Sequence, residues 1–358
     1  MRLLVQPADG VEPIVAGIRK AKKSVEIMIF RFDRREVRQA LIEAVRRGVA
    51  VHALIAFTNR GGERKLRELE TDFLANGITV GRTATGLKRY HGKMMVVDRK
   101  EVYVLGYNLT RLDIEHSRSF GLVTRNPKLL REAIRLFEAD SKRQAYRPEH
   151  ARFVVSPENA RSVLARFLQG ARKELLIYDP ELSDPGMLRI LRKRQEAGVK
   201  VRVVGKVQDG RVPARQLKPM RLHVRMIIRD RQQAFLGSQS LRREELESRR
   251  EIGAIFRHGS AINTLVRTFK KDWAASLAGK KERQRTVVMA EAPEVVAKAV
   301  RKELPVQRVV ARLAREIKPK ANGKLPAKRI EKKVKKVLRS SVKQVVKEAL
   351  EETVKPAA

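Results

Sequence analysis

The sequence predicts a duplicated α/β fold: two mixed-sheet halves sharing one site, followed by a basic helical tail. Three observations carry this expectation. Short runs rich in β-branched residues alternate with amphipathic stretches of helical period, the pattern of strands and helices layered on a mixed sheet. A helix–glycine–strand corner occurs twice, as Arg46-Arg-Gly48-Val-Ala-Val-His-Ala-Leu54 and as Gln195-Glu-Ala-Gly198-Val-Lys-Val-Arg-Val203. A short histidine-containing pattern also recurs, its two copies 132 residues apart. Repetition at this scale marks an internal duplication.

The elements of the first half follow in order. Val25–Phe30 is rich in β-formers and reads as a strand. From Arg34 to Gly48, Val37, Leu41, Ala44 and Val45 share one helical face, and Gly48 stops the helix. Val49–Phe57 returns to strand. Glu63–Asn76 is a second helix, ended by Gly77. Ile78–Val80, Met94–Val97 and Val102–Leu105 read as three more strands. Pro127–Ser141 closes the half as a helix, with proline suited to its first turn. The linker falls near Ser141–Glu149.

The second half repeats the order. Asn159–Gly170 is helical, Glu174–Tyr178 a strand, Met187–Gly198 a helix and Val199–Val204 a strand. Strands around the second histidine pattern follow, then Ile252–Phe256 and a last helix from Ser260 to about Ala275, with Trp273 as its apolar anchor. The expected boundaries are 1–145 and 146–280 for the two halves and 281–358 for the tail. The tail carries a Pro/Lys/Gly-rich linker at 318–328. After it, Ile330, Val334, Leu338, Val342, Val345 and Val346 recur at helical spacing with lysines opposite, a basic amphipathic pattern. Such a helix docks on an acidic membrane or nucleic acid, packs on the core, or self-associates.

The chain of 358 residues carries a net charge of +40. Residues 1–150, 151–280 and 281–358 contribute +12, +15 and +13, so the charge belongs to the folded part as well as the tail. A field of that sign attracts polyanions, whether nucleic acid or an anionic membrane surface, and it is also compatible with a plain solvated surface. The absence of cysteine excludes disulfides and thiolate metal sites. No stretch is apolar enough to span a membrane, and the N-terminal residues lack the apolar run of a signal peptide, so a cytoplasmic location is expected, with peripheral contact at the inner membrane face.

The histidine pattern reads His91-Gly-Lys93, Asp98 and Gly106-Tyr-Asn108 in its first copy, and His223-Val-Arg225, Asp230 and Gly237-Ser-Gln239 in its second. Phosphodiesters resist attack because their oxygens repel nucleophiles. A catalyst must neutralise them, supply a nucleophile and protonate the leaving oxygen, and histidine suits the last two roles. The spacing resembles the HKD motif of the phospholipase D superfamily, over roughly residues 1–280. The resemblance implies that both motifs meet in one site, where one histidine forms a phosphohistidine and the other acts as acid and base, without metal or cofactor. On this chain it implies His91 as nucleophile and His223 as acid/base, with Lys93 and Arg225 clamping the phosphate. Asn108 and Gln239 would add neutral hydrogen bonds to the same oxygens. Asp98 and Asp230 would hold the motif loops. Glu251, in Arg249-Arg-Glu-Ile-Gly253, matches the family's late carboxylate that orients a motif histidine.

Three departures stand out. Arg225 replaces the usual lysine, and its planar fork needs different geometry. Gln239 replaces the usual asparagine. Ser119 stands where the first half should carry its late carboxylate, which leaves Glu115 as a substitute from four residues earlier. The family implies three functions for such a chain: cleavage or exchange of phospholipid headgroups, cleavage of DNA or RNA by the same chemistry, or a degenerate scaffold that binds nucleic acid or membrane without turnover. Arg82, Lys88 and Arg89 just before His91 favour an anionic substrate in each case. The loops Thr58–Arg64, Arg82–Tyr90 and Val207–Leu217 are expected to set substrate choice. His52, His116, His150 and His258 carry no motif and receive no role.

Overall fold

The computed structural model describes residues 1–58 and 63–276. The expectations for the tail lie outside the described residues. In chain order the first half runs β1 (Arg2–Gln6), α1 (Glu12–Arg19), β2 (Ser24–Ile29), α2 (Arg35–Arg46), β3 (Ala50–Ile55), α3 (Arg64–Ala75), β4 (Thr79–Arg82), β5 (Arg89–Tyr90), β6 (Met94–Val97), β7 (Glu101–Leu105), α4 (Arg111–Glu115), β8 (Ser117–Thr124) and α5 (Pro127–Ser141). The second half runs β9 (Phe153–Ser156), α6 (Ala160–Gln169), β10 (Glu174–Leu182), α7 (Pro185–Glu196), β11 (Lys200–Val207), β12 (Ala214–Arg215), β13 (Arg221–Leu222), β14 (Arg225–Arg229), β15 (Gln233–Gly237), α8 (Arg243–Glu247) and β16 (Arg249–Phe256), and ends in a helix α9 over 259–276.

Each half forms a mixed sheet. The first has the order β1-β8-β7-β6-β2-β3-β4, the second β12-β11-β10-β14-β15-β16-β5, with β9 added on β16. In both, the parallel strands follow the βαβ crossovers that the alternating pattern implies, and the antiparallel strands are the hairpins that carry the two motifs. One apolar cluster draws on both sheets and on α5 and α9, through residues such as Phe120, Leu136, Phe153, Tyr178, Leu236 and Phe269. Two further clusters lie under the other helices of each half, one with Ile14, Leu41 and Phe73, the other with Leu164, Met187 and Leu191. Met1–Leu277 is one compact unit. No described helix is long and apolar enough to cross a membrane.

The two sheets exchange their shortest strands. β5 of the first half pairs in parallel with β16 of the second, Arg89 opposite Arg249 and Tyr90 opposite Arg250. β13 of the second half pairs in parallel with β8 of the first, Arg221 opposite Ser117 and Leu222 opposite Arg118. Each two-residue strand ends immediately before a motif histidine. The chain therefore anchors each histidine to the other half's sheet: His91 N–H donates to Arg250 O at 2.7 Å, and His223 N–H to Arg118 O at 3.1 Å.

Packing between the halves is close at this seam. A Cβ added to Gly92, between His91 and Lys93, would lie 2.5 Å from Ile252 Cδ1, and one on Gly106 would lie 2.9 Å from Phe120 O and 3.2 Å from Gly237 O. Only glycine lets the backbone approach so nearly. Trp273 stacks on Phe269 at 5.9 Å between ring centroids and lies under the Arg215 guanidinium at 3.9 Å.

Candidate active site

The two aspartates close the hairpins that carry the site. Asp98 and Asp230 both sit in the left-handed backbone region, each with φ 53°. Asp98 accepts N–H hydrogen bonds from Lys22, Lys23 and Ser24, the shortest 2.7 Å, and Asp230 does the same for Arg172, Lys173 and Glu174. Burial works against their charge, but three N–H donors each hold both carboxyls below the usual range. Each aspartate thus ties the start of its half's first motif-bordering strand to the motif hairpin.

His91 and His223 are both buried, at 7% and 8% exposure, and Lys93 is at 3%. Glu251 reaches across from the second half and takes the His91 Nδ1 at 2.8 and 3.1 Å through its two oxygens. The Phe30 ring stands edge-on to the imidazole at 4.6 Å. A carboxylate on Nδ1 fixes the tautomer with Nε2 as the free base. Burial, then the charges of Lys93 and Arg225, lowers the His91 pKa well below its ordinary value. Burial also pushes Glu251 up, against the pull of Lys93.

Lys93 donates to the backbone oxygen of His91 at 2.5 Å and lies 5.5 Å from the Phe30 centroid. Burial lowers its pKa to about 7, with Glu251 opposing and Arg225 assisting the shift. The Arg225 side chain is 11% exposed, with buried Nε and Nη1 that make no hydrogen bond and the carboxylate of Glu245 3.7 Å from Nε. Burial lowers His223 well below its ordinary value, with Asp113 opposing and Arg225, Arg221 and Lys93 assisting. The charges of both motifs act on one another, so the structure gathers both histidines and both cations into one electrostatic unit.

The amide positions need a correction. Asn108 is held by Asp113, which accepts from its backbone N–H at 2.9 Å and its Nδ2 at 2.6 Å, leaving Oδ1 buried and unpartnered. Gln239 is not its counterpart. The hairpins superpose at a constant offset, Met94 paired with Val104 and Met226 with Leu236, which makes Ser240 the repeat of Asn108 and Gln239 that of Tyr107. Gln239 donates to Val154 O at 2.9 Å, inside its own half, and its Oε1 is buried without a partner. Ser240 donates to Asp179, whose carboxyl burial raises to about 6, and receives Glu245 on its backbone N–H at 2.7 Å. The single-residue difference between Asp98–Gly106 and Asp230–Gly237 in the sequence misleads, because the glycine does not occupy equivalent places in the two hairpins.

The orienting carboxylate of the first half also differs from expectation. Glu115 is solvent-facing and pairs with Arg34 and Arg111, so it does not serve His223. Ser119, on β8, donates instead to the His223 backbone oxygen at 3.1 Å. The carboxylate beside His223 is Asp113, with Oδ2 3.3 Å from Nδ1. Spacing gave one signal for it: Asp113 lies as far after His91 as Glu245 lies after His223. Arg82 and Lys88, expected to draw substrate, are paired with Glu70 and Glu244.

Residues 14–141 match the family model described as the PLD-like domain of cardiolipin synthase. Over that stretch the chain resembles the phospholipase D superfamily. A curated polyphosphate kinase of Pseudomonas syringae pv. tomato is 25% identical over 247 residues, 63% of this chain and 33% of that protein. The chain therefore spans about a third of the length of that relative. Its fold resembles the crystal structure of polyphosphate kinase from Porphyromonas gingivalis, with a TM-score of 0.62 at 18% identity over 75% of this chain and 46% of that one. It also resembles phosphatidylserine synthase of Haemophilus influenzae, with a TM-score of 0.59 at 13% identity over 77% of this chain and 86% of that one. At these identities the likeness is one of fold.

Proposed function

We propose that the two halves form one phosphodiesterase or phosphatidyltransferase that works through a phosphohistidine, with no metal ion in the step. The observation that carries this reading is the Arg225 guanidinium, whose buried Nε and Nη1 make no hydrogen bond and whose carboxylate neighbour Glu245 stands 3.7 Å off, beside Lys93 and two neutral imidazoles. Buried donors on a cation that make no hydrogen bond are costly. A phosphate group brought among them would supply the missing hydrogen bonds of Arg225 and restore charge to Lys93.

The chemistry follows from the tautomers. Glu251 holds the Nδ1 of His91, which leaves its Nε2 lone pair for attack on phosphorus. The P–O bond to the leaving group breaks as the P–N bond forms. His223 gives a proton to the departing oxygen, its pKa having been raised by the bound phosphate. It then takes a proton from water or an alcohol, whose oxygen displaces His91 and regenerates the free imidazole. Lys93 and Arg225 bind the non-bridging oxygens, and Asn108 holds Asp113 beside His223.

Phospholipid is the first substrate reading, supported by the family description of the first half. A peripheral, membrane-facing protein of the cytoplasm fits that reading through its charge of +40. Nucleic acid or another linear polyanion is the second, and one observation favours it. Among the described residues only Met1, Leu74 and Leu112 are large apolar side chains left exposed, and they form little surface for a lipid interface. The test is turnover with EDTA present, on anionic phospholipid vesicles and labelled DNA side by side, with His91→Ala and His223→Ala as controls. Cleavage of one substrate, lost by roughly 10⁴-fold or more in both variants, is expected. Tight binding without turnover, unchanged by either substitution, would leave a scaffold in place of an enzyme.

A further inference from the structure

The duplication sets up an unequal pair. Position 251 carries the carboxylate that crosses the seam to His91, and its repeat at position 119 is a serine. The Ser119 hydroxyl is too short to reach the ring and settles on the His223 backbone oxygen. His223 Nδ1 is left buried with no hydrogen bond, an expensive vacancy for a polar atom. Asp113 Oδ2 faces that nitrogen at 3.3 Å.

Asp113 comes from a different element from Glu251. It sits in α4, whose N-cap Thr110 accepts from the Asp113 N–H at 3.3 Å, and it is 2% exposed. Its Oδ2 accepts from Asn108, and its Oδ1 takes the guanidinium of Arg221, which lies on β13 two residues before His223. Its repeat, Glu245, performs only the loop-holding part. Glu245 accepts from Ser240 N–H at 2.7 Å and from Arg249 at 3.1 Å, and it also faces Arg225 at 3.7 Å and Arg242 at 4.0 Å.

We propose that Asp113 is the positioning residue of His223, standing in for the carboxylate that Ser119 replaced. The proposal rests on the two-histidine reading above. Asp113 selects the tautomer that presents His223 Nε2 to substrate, and it stabilises the imidazolium that forms when His223 takes a proton from the attacking water or alcohol. The 3.3 Å separation shortens as that charge develops, because catalytic contacts tighten when the charged form appears. Arg221 and Asn108 keep the carboxylate ionised and aimed.

The test uses the full chain with ¹⁵N-labelled histidine, and bis(4-nitrophenyl) phosphate as a generic diester in EDTA. Asp113→Asn should lower kcat by roughly 100-fold or more with KM changed less than about twofold, by analogy with loss of an orienting carboxylate. It should also shift the pH limb of kcat assigned to His223 and move the ring-nitrogen titration of His223, identified by its loss in His223→Ala. Adding Ser119→Glu to Asp113→Asn should restore kcat by about tenfold or more, the carboxylate arriving from the strand position used for His91. Should Asp113→Asn fail to fold, Ser119→Glu alone must raise the titration point of His223. An Asp113→Asn protein that folds, with the His223 titration and pH limb unmoved, overturns the proposal. Wild-type protein inert towards the diester, vesicles and DNA would overturn the enzyme reading instead, and the ring-nitrogen titration would still decide whether Asp113 governs His223.

Discussion

The two halves share a scaffold to within a constant offset and yet arm their histidines differently. His91 sits against Glu251, fully buried, with both carboxylate oxygens within hydrogen-bonding range. His223 has a hydroxyl on its backbone oxygen and a carboxylate 3.3 Å from its ring, already engaged with Asn108 and Arg221. Both halves tie their hairpins with the same aspartate. Duplication therefore preserved what holds the loops and let the orientation of the rings diverge. The difference teaches that a strained symmetry is not needed for a paired site, since one histidine has to hold phosphorus and the other only a proton.

The comparison can be broken most strongly at Glu251. Glu251→Gln should lower turnover by about 10³-fold or more, because the wrong His91 tautomer would be favoured. Steady-state kinetics of the purified variant against wild type reads this directly, and a loss smaller than that of Asp113→Asn would reverse the ranking of the two histidines.

Where the halves agree, equal damage is expected. Asp98→Ala and Asp230→Ala each remove a carboxylate that satisfies three backbone N–H groups, and each should destabilise by about 2–4 kcal/mol. Denaturant unfolding of the two variants should give matching losses. A large inequality would show that one hairpin carries more of the fold than the other.

Lys93 distinguishes function from stability. Its folded pKa of about 7 lies below the ordinary lysine value, so between those values the unfolded chain binds more protons than the folded one. Stability from this group is therefore present above the unfolded value and declines as pH falls from there through about 7. Lys93→Met should raise stability at pH 7 by roughly 1–3 kcal/mol and abolish turnover, the pattern of a site that trades stability for reactivity. Thermal melts at pH 7 check the first part and the diester assay the second.

The two histidines act in the same direction. Both are held neutral by burial, so the unfolded chain takes up protons first as pH drops below the ordinary histidine value of about 6.5. Stability should decline on the acidic side of that value, and His223→Gln should flatten part of the slope. Ser240→Ala, at the repeat of Asn108, should have the smallest effect on turnover, because Ser240 is bound to Asp179 and not turned towards phosphate. Asn108→Ala should lower it by about tenfold.

Much of the scaffold was legible. Met94–Val97 and Pro127–Ser141 have the bounds expected from β-branched content and from Pro127 at a helix start. Others, such as α2 and β3, shift by one or two residues at their ends, where helix and strand signals fade. β1, α1, α4 and β8 escaped a sequence reading focused on the motifs, and the two-residue strands β5 and β13 have no periodicity to reveal them. Those two strands matter most for the site, since they pass each histidine to the other sheet.

By itself the sequence determined the duplication, the two histidines with their cations, the aspartates at the hairpins and the charge of +40. These are local patterns or sums, set by residue type and spacing. Tertiary structure alone decided which carboxylate meets which histidine. Glu251 and His91 are 160 residues apart in the chain, and Asp113 and His223 are 110 apart, so no spacing rule joins them. Their meeting depends on the crossed strands β5 and β13 and on the glycines that let the two backbones close. The element that delivers each carboxylate then decides whether it grips a ring, as Glu251 does from β16, or stands just off it, as Asp113 does from α4.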